Sequence, residues 1–245
     1  MRKAYLVTGA TSGIGLATCE SILSKGDIVF AVGRDENKIA NLKVKYNSDL
    51  FEFVSYDLTN LKEIESIFVL IARRDLRLDG FIHCAGIEET LPLTSYTPEK
   101  VNRIFEINVF SGIELIRIFT KKKYSNEFSS IVFFSSVMGV LGQPGKVGYC
   151  ATKAAVLGIV KSSALELSKR KIRVNAILPG VVNTPMTQKL FSKLDHSNID
   201  SIIAMHPLGI GEVGDVVSAV EFLLSDGSKW MTGQNLIIDG GYSIQ

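Results

Sequence analysis

Tyr149 and Lys153 stand four residues apart in the stretch Val147-Gly148-Tyr149-Cys150-Ala151-Thr152-Lys153, whose helical spacing puts both side chains on one face. A phenol ordinarily titrates near 10 and is a poor proton donor or acceptor at neutral pH. An ammonium beside it stabilises the phenolate and lowers that value, so the pair is a candidate general acid–base. Ser135-Ser136 ends an apolar run shortly before, which predicts two hydroxyls where a strand gives way to a loop. Strand alternation sends them in opposite directions, so one of the two can polarise a carbonyl oxygen near the phenol.

A second chemical feature lies near the start of the chain. Gly9-Ala10-Thr11-Ser12-Gly13-Ile14-Gly15 follows a β-branched run and opens a helical one. Glycines there permit a tight turn and let backbone approach a pyrophosphate at the helix N-terminus. The spacing is neither GxGxxG nor Walker A, since Leu16 stands where the latter needs Gly-Lys. Cys150 adjoins Tyr149, but no histidine pairs with it in sequence, and it reads as a buried, inert thiol. His83-Cys84 supplies only two of the ligands a metal site needs. His196 and His206 read as solvated or capping residues, and no metal is expected.

These residues must be positioned by alternating strands and helices. Strands are predicted at Ala4–Val7, Ile28–Val32, Leu50–Ser55, Gly80–Cys84, Ser130–Ser135, Arg173–Leu178 and Asn235–Ile238. Their continuous apolar runs suit a parallel sheet covered on both faces. Helices are predicted from about Ile14 to Ser24, with Ile14, Ala17, Cys19 and Ile22 inward, and from Glu36 to Tyr46, Leu61 to Asp75, Pro98 to Lys121, Lys146 to Ser168 and Glu212 to Leu224. Thr97 before Pro98, and Asn60 with Glu63, read as N-caps. The weakly periodic Thr184–Gly211 stretch is a candidate lid, and the whole chain is expected to form one domain.

Composition narrows the function class. The chain has 245 residues, 46% hydrophobic, and a formal charge of +2, which excludes disorder and argues against a nucleic-acid partner. Three cysteines 65 and 66 residues apart, without CxxC, fit neither a disulfide framework nor a zinc ribbon and point to a reducing, cytoplasmic setting. The uncharged run Phe128–Gly145 is broken by Ser135-Ser136 and Gln143-Pro144-Gly145, so no membrane helix is expected.

The motifs together resemble the short-chain dehydrogenase/reductase family, from Ala4 to Gly241. TGATSGIG at 8–15 is similar to its cofactor loop and YCATK at 149–153 to its Tyr-x-x-x-Lys pair. Asn108 in FEINVFSG, Ser136, Pro179-Gly180 with Thr184, and Asp239-Gly240-Gly241 also match. The resemblance implies a doubly wound α/β Rossmann fold with seven parallel strands in the order 3-2-1-4-5-6-7, and reduction of a ketone or oxidation of a secondary alcohol. It assigns Tyr149 as proton donor and Ser136, thirteen residues before it, as the carbonyl-orienting hydroxyl. Lys153 would hold the nicotinamide ribose and tune the phenol, and Asn108 would support a proton-relaying water. Cofactor contacts would come from Gly9, Thr11, Ser12, Gly13, Ile14 and Gly15, from Asp57 and Leu58, and from Ala85 and Gly86. Pro179, Gly180, Val182 and Thr184 would flank the nicotinamide.

A free ribose 2′-OH is usually met by an acid after the second strand, whereas a 2′-phosphate prefers arginine. Here Gly33-Arg34 stands at that point, so NADP(H) is expected over NAD(H). The chain departs from its relatives at His83-Cys84, where they carry Asn-Asn, and near Ile210, where they carry arginine. The nearest resemblance is to bacterial 3-oxoacyl-(acyl-carrier-protein) reductases, which implies a carrier-bound 3-oxoacyl thioester. Lys121-Lys122-Lys123 and Lys169-Arg170-Lys171 are the candidate carrier contacts. The expected substrate pocket is mostly apolar, with Leu91, Leu93, Val140, Leu141, Met186 and Leu190 beside Glu88, Glu89 and Gln143. A sugar, polyol or other small hydroxy-compound is the alternative substrate, and a catalytically idle NADP-binding protein is the alternative of another class. The resemblance, and the apolar, glycine-rich stretch LIIDGGYSIQ with no charged tail after it, imply a homotetramer with 222 symmetry.

Overall fold

Odd and even residues of one strand face opposite ways, and in this protein both faces are apolar. From β1 (Ala4–Thr8), Ala4 and Leu6 enter one core while Tyr5 and Val7 enter another. The computed structural model describes residues 2–46 and 49–244. After β1 come α1 (Gly13–Ser24), β2 (Ile28–Gly33), α2 (Ala40–Lys45), β3 (Phe51–Ser55), α3 (Glu65–Ala72) and β4 (Leu78–His83). Next are α4 (Pro98–Phe105), α5 (Ser111–Phe119), β5 (Ser125–Phe134), α6 (Val147–Leu167) and β6 (Arg173–Pro179). The chain closes with α7 (Pro185–Phe191), α8 (His196–Ala204), α9 (Val213–Leu224) and β7 (Asn235–Ile238).

The strands form one parallel sheet in the order β3-β2-β1-β4-β5-β6-β7, as expected. One core buries Phe68 of α3, Phe119 of α5 and Val156 of α6 against Phe30, Phe81 and Phe133. The other buries Cys19 and Ile22 of α1 and Val216 and Val220 of α9 against Val29, Ile82 and Val132. The fold is therefore a doubly wound α/β Rossmann sheet.

Several local expectations are corrected. In α1 the inward residues are Gly15, Thr18, Cys19, Ile22 and Leu23, while Ala17 is only half-buried and Ile14 packs on the rim of the core, since the buried positions follow the 15-18-19-22 spacing of one helix face. The predicted helix Pro98–Lys121 is α4, a π-helical turn at Glu106–Phe110 and α5 in succession. Asn108 lies in that π-turn, the device by which a continuous helix re-aims one side chain. Asn60 meets Glu63 side chain to side chain at 2.9 Å instead of capping backbone, and Thr97 makes no side-chain cap bond. The stretch expected to lack pattern after Thr184 holds two short helices, α7 and α8, capped by the side chains of Thr184 and Asp195. No helix among the described residues is long and apolar enough to cross a membrane.

Candidate active site

The β1–α1 loop is shaped by clashes it avoids. Gly9 has a φ of +65°, and a Cβ there would stand 2.7 Å from the Ala85 amide nitrogen, so β1 and β4 end backbone to backbone. A Cβ on Gly15 would sit 2.3 Å from the Gly9 carbonyl oxygen. Ser12 enters α1 extended and its hydroxyl makes no cap bond, which leaves the amides of the first turn for an anion. These features fit a pyrophosphate: an open amide cradle at the positive end of a helix, with no side chain in the way.

The loop opens into a cleft of about 320 Å³ along the C-terminal ends of the strands. Among its walls are Gly9, Thr11, Ser12, Gly13, Ile14 and Gly15, then Arg34, Asp57, Leu58, Ala85 and Gly86. Ser136, Tyr149, Lys153, Pro179, Gly180, Val182 and Thr184 complete the far side. Of the expected catalytic and cofactor-binding residues, Asn108 alone is not part of this wall, whereas of the expected substrate-pocket residues Met186 alone is. At the β2 end, a Cβ on Gly33 would lie 2.4 Å from Thr11 Cγ2, so an acidic side chain there would have to displace Thr11. Arg34 is exposed beside Asp57. The Asp57 carboxyl is held below its ordinary range by the Thr59 amide at 3.0 Å, helped by the Thr59 hydroxyl and the nearby guanidinium.

The catalytic candidates converge where β5 ends and α6 begins. Ser135 and Ser136 diverge as alternation demands. The Ser135 hydroxyl donates to the Lys153 carbonyl at 2.7 Å and is spent on structure, while that of Ser136 hydrogen-bonds the Tyr149 side chain and accepts from the Met138 amide at 3.2 Å. Lys153 donates to the Phe134 carbonyl at 2.9 Å, with its ammonium 5.6 Å from the centre of the Tyr149 ring. Asn108 grips the neighbouring loop: its Oδ1 accepts from the Ile87 amide at 2.8 Å, and its Nδ2 donates to the Ile87 carbonyl and to the Thr152 hydroxyl. A Cβ on Gly86 would meet both Asn108 Oδ1 at 3.3 Å and Lys153 Nζ at 3.5 Å, so these two groups face the same point.

The electrostatics differ from expectation. The Tyr149 phenol is not lowered in the protein alone; burial pushes it up to about 12, and the Ser136 bond offsets only part of that. Burial likewise brings the Lys153 ammonium down to about 8. A low-dielectric site disfavours both charged forms at once, an effect invisible in the spacing of the two residues.

Burial decides the remaining candidates: Cys150, expected to be buried, is only half-buried. His83 is buried, its Nδ1 2.8 Å from the Thr8 hydroxyl, and desolvation drops its pKa to about 3. Its Nε2 has no partner among the described residues. His206 is neither solvated nor a cap. It is buried, accepts from the Val181 amide at Nε2 (3.2 Å), meets the Ile202 carbonyl at Nδ1 (2.8 Å) and stacks on Tyr242. It anchors the segment where relatives carry arginine near Ile210. The two basic runs follow α5 and α6 and lead into β5 and β6, so they lie at the edge of the sheet opposite the cleft. There Lys121 and Lys123 pair with Glu65, and Arg170 donates to the carbonyls of Thr120 and Ser125. They close helix ends and do not flank the pocket.

Two residues escaped the sequence reading, and a third, His206, was misread. Tyr56 lines the cleft beside Asp57. His206 carried no local signal. Lys146 did carry one, its place three residues before Tyr149: it stands just before α6, is buried, bonded to Glu88 at 2.6 Å, and 5.8 Å from the centre of the tyrosine ring.

Comparison with known proteins agrees with this geometry. The family described as Enoyl-(Acyl carrier protein) reductase matches residues 9–243. The 3-oxoacyl-(acyl-carrier-protein) reductase FabG of Rickettsia felis is 33% identical over 240 residues, covering 98% of this chain and 96% of that one. Among solved structures, 4-hydroxyisoleucine dehydrogenase complexed with NADH superposes with a TM-score of 0.91 at 31% identity, over 100% of both chains. The structure described as ElxO with NADP bound superposes with a TM-score of 0.89 at 29% identity, again over 100% of both.

Proposed function

The chain belongs to the short-chain dehydrogenase/reductase family and is a nicotinamide-dependent oxidoreductase of the CH–OH group; on that premise we propose that it uses NADPH to reduce a 3-oxoacyl thioester. The observation that carries the reading is the convergence of Ser136, Tyr149 and Lys153 on the same cleft as the amide cradle of α1.

The nicotinamide, when bound, supplies the hydride. The chain's own residues handle the rest. The amides of Gly13, Ile14 and Gly15 hold the pyrophosphate, with Thr11 and Ser12 at the rim, while Asp57 and Leu58 flank the adenine. Arg34 takes the 2′-phosphate as a planar fork, in a place where an acidic side chain at position 33 would have to displace Thr11. The backbone of Ala85, Gly86, Pro179, Gly180 and Val182, with the Thr184 hydroxyl, shapes the nicotinamide end. Ser136 orients the ketone oxygen, and Tyr149 gives that oxygen its proton. Lys153 binds ribose hydroxyls and restores charge near the phenol, and Asn108 keeps the Ile87 loop and α6 in register.

The thioester reading draws on the likeness to the Rickettsia felis reductase and on Ile87, Ile107, Phe134 and Met186 in the cleft wall. A second reading, a small polar hydroxy-compound, draws on the likeness to 4-hydroxyisoleucine dehydrogenase, 31% identical over the whole chain. NADPH oxidation with 3-oxobutanoyl-coenzyme A, the same acyl group on a carrier protein, and a panel of small hydroxyketones separates the two. Faster turnover of every hydroxyketone than of either thioester would replace the first reading by the second. With the basic runs on the opposite edge, carrier and coenzyme A forms should react alike.

The same reading places the protein in the cytoplasm, in keeping with its free cysteines, and makes it a homotetramer. Phe110 and Ile113 are exposed on the helix after β4, and Trp230 is 97% exposed near the C-terminus, apolar surface of the kind that subunits cover. Light scattering should return about four times 26.8 kDa; a monomer mass would refute the assembly.

A further inference from the structure

We propose that Glu88 and Lys146 act on Tyr149 as a compensated charge pair, in which Glu88 withholds from the phenol a second ammonium that the fold has placed beside it. The inference rests on Tyr149 being the proton donor.

The geometry is specific. Lys146 immediately precedes α6, with its ammonium 5.8 Å from the centre of the Tyr149 ring, while Lys153 stands at 5.6 Å. Two ammonium groups at that range would both favour the phenolate. Only Lys146 has a carboxylate partner. Glu88 Oε1, on the loop after β4, lies 2.6 Å from Lys146 Nζ and takes a second bond from the Thr90 hydroxyl at 2.6 Å. The side chains of the pair are 10% and 17% exposed, so salt screens them poorly.

Such a sheltered pair is weak evidence for stability, since its desolvation offsets most of its attraction. Its position gives it another consequence. Desolvation chiefly raises the Tyr149 phenol and the Ser136 hydroxyl lowers it, with Glu88 and then Cys150 adding further upward pushes. Behind Lys153 lie Cys84 and the neutral His83, and beside Gly148 lie Tyr96 and Glu89. Among these groups, Glu88 and Lys146 carry opposite charges that a single substitution can unbalance. Both are positioning residues, acting through the phenol and not on substrate.

The test follows the ring carbon of Tyr149 by NMR in protein labelled with 13C-tyrosine, without substrate, its signal assigned by its loss in Tyr149→Phe. Glu88→Gln leaves the Lys146 charge uncompensated, and the phenol midpoint should fall by about one pH unit. Lys146→Met leaves the Glu88 charge uncompensated, and titration should recede to higher pH. The double variant should return close to wild type, and Lys146→Arg should match it. Glu88→Asp, which keeps the charge on a shorter arm, should show a smaller fall and serves if Glu88→Gln does not fold. Equal midpoints in all folded variants, or shifts of one sign for Glu88→Gln and Lys146→Met, overturn the proposal. In parallel, the pH dependence of 3-oxobutanoyl-coenzyme A reduction should shift with the same signs. Wild-type turnover by Tyr149→Phe would sink the proton-donor role and leave the titration result standing. Unchanged titration with an inactive Tyr149→Phe would sink the charge pair alone.

Discussion

The β1–α1 loop and the first turns of α6 meet across one cleft, yet they are built from opposite materials. The loop offers backbone: three glycines, unpaired amides and a helix end, with side chains excluded by contacts as close as 2.3 Å. The α6 region offers side chains: a half-buried phenol, two buried lysines, a serine and a carboxylate, held by named bonds. Shape recognises a large anion whose charge is constant. A proton must instead be bound and released, which requires groups whose affinity their surroundings can shift. One region tolerates no added atom, and the other tolerates no change of charge.

The largest test of that contrast is Tyr149→Phe. It keeps ring and packing but removes the proton, so turnover should fall by about 10²–10⁴ while NADPH affinity barely moves. Single-turnover hydride transfer beside a fluorescence titration of NADPH measures both. Retained turnover would mean that the α6 region does not do the proton chemistry.

The reverse pattern is expected for Gly15→Ala. The added methyl group meets the Gly9 carbonyl, so the cradle must shift and NADPH affinity should drop by about a hundredfold, or roughly 2.7 kcal/mol. At saturating cofactor, turnover should recover most of its wild-type value. A large loss of turnover with affinity intact would break the division between the regions.

A smaller effect separates charge from shape within the loop half. Arg34→Ala should cost NADPH about tenfold in Kd, about 1.4 kcal/mol, and leave NADH nearly unchanged. Equal wild-type affinities for the two cofactors would refute the 2′-phosphate assignment.

The smallest concerns His83, at the end of β4 between the two regions. Its folded pKa of about 3 lies below the ordinary 6.5, so below 6.5 the unfolded chain binds a proton that the native state refuses. Stability falls as pH drops, by about 1 kcal/mol at pH 5.5 relative to neutral pH. His83→Asn should flatten that slope in urea unfolding at pH 7 and 5.5. An identical slope in the variant would show that the acid sensitivity arises elsewhere.

Much of this was legible in the chain. Continuous apolar strands separated by helical stretches determined the layered parallel sheet, because burial on both faces leaves a signature in every strand. Glycines at 9, 13 and 15, and Tyr149 with Lys153, determined which two segments would meet, since spacing alone sets a turn and a shared helix face. Tertiary structure decided what spacing cannot carry. It spent Ser135 on the Lys153 carbonyl and left Ser136 for the phenol, turned Asn108 inward through a π-turn, and moved the basic runs to the far edge. It also brought Glu88 to Lys146 across 58 residues of sequence and raised the very phenol that Lys153 was expected to lower. Periodicity is a local property of a chain, whereas burial and charge pairing depend on segments distant in sequence, so only the assembled fold sets them.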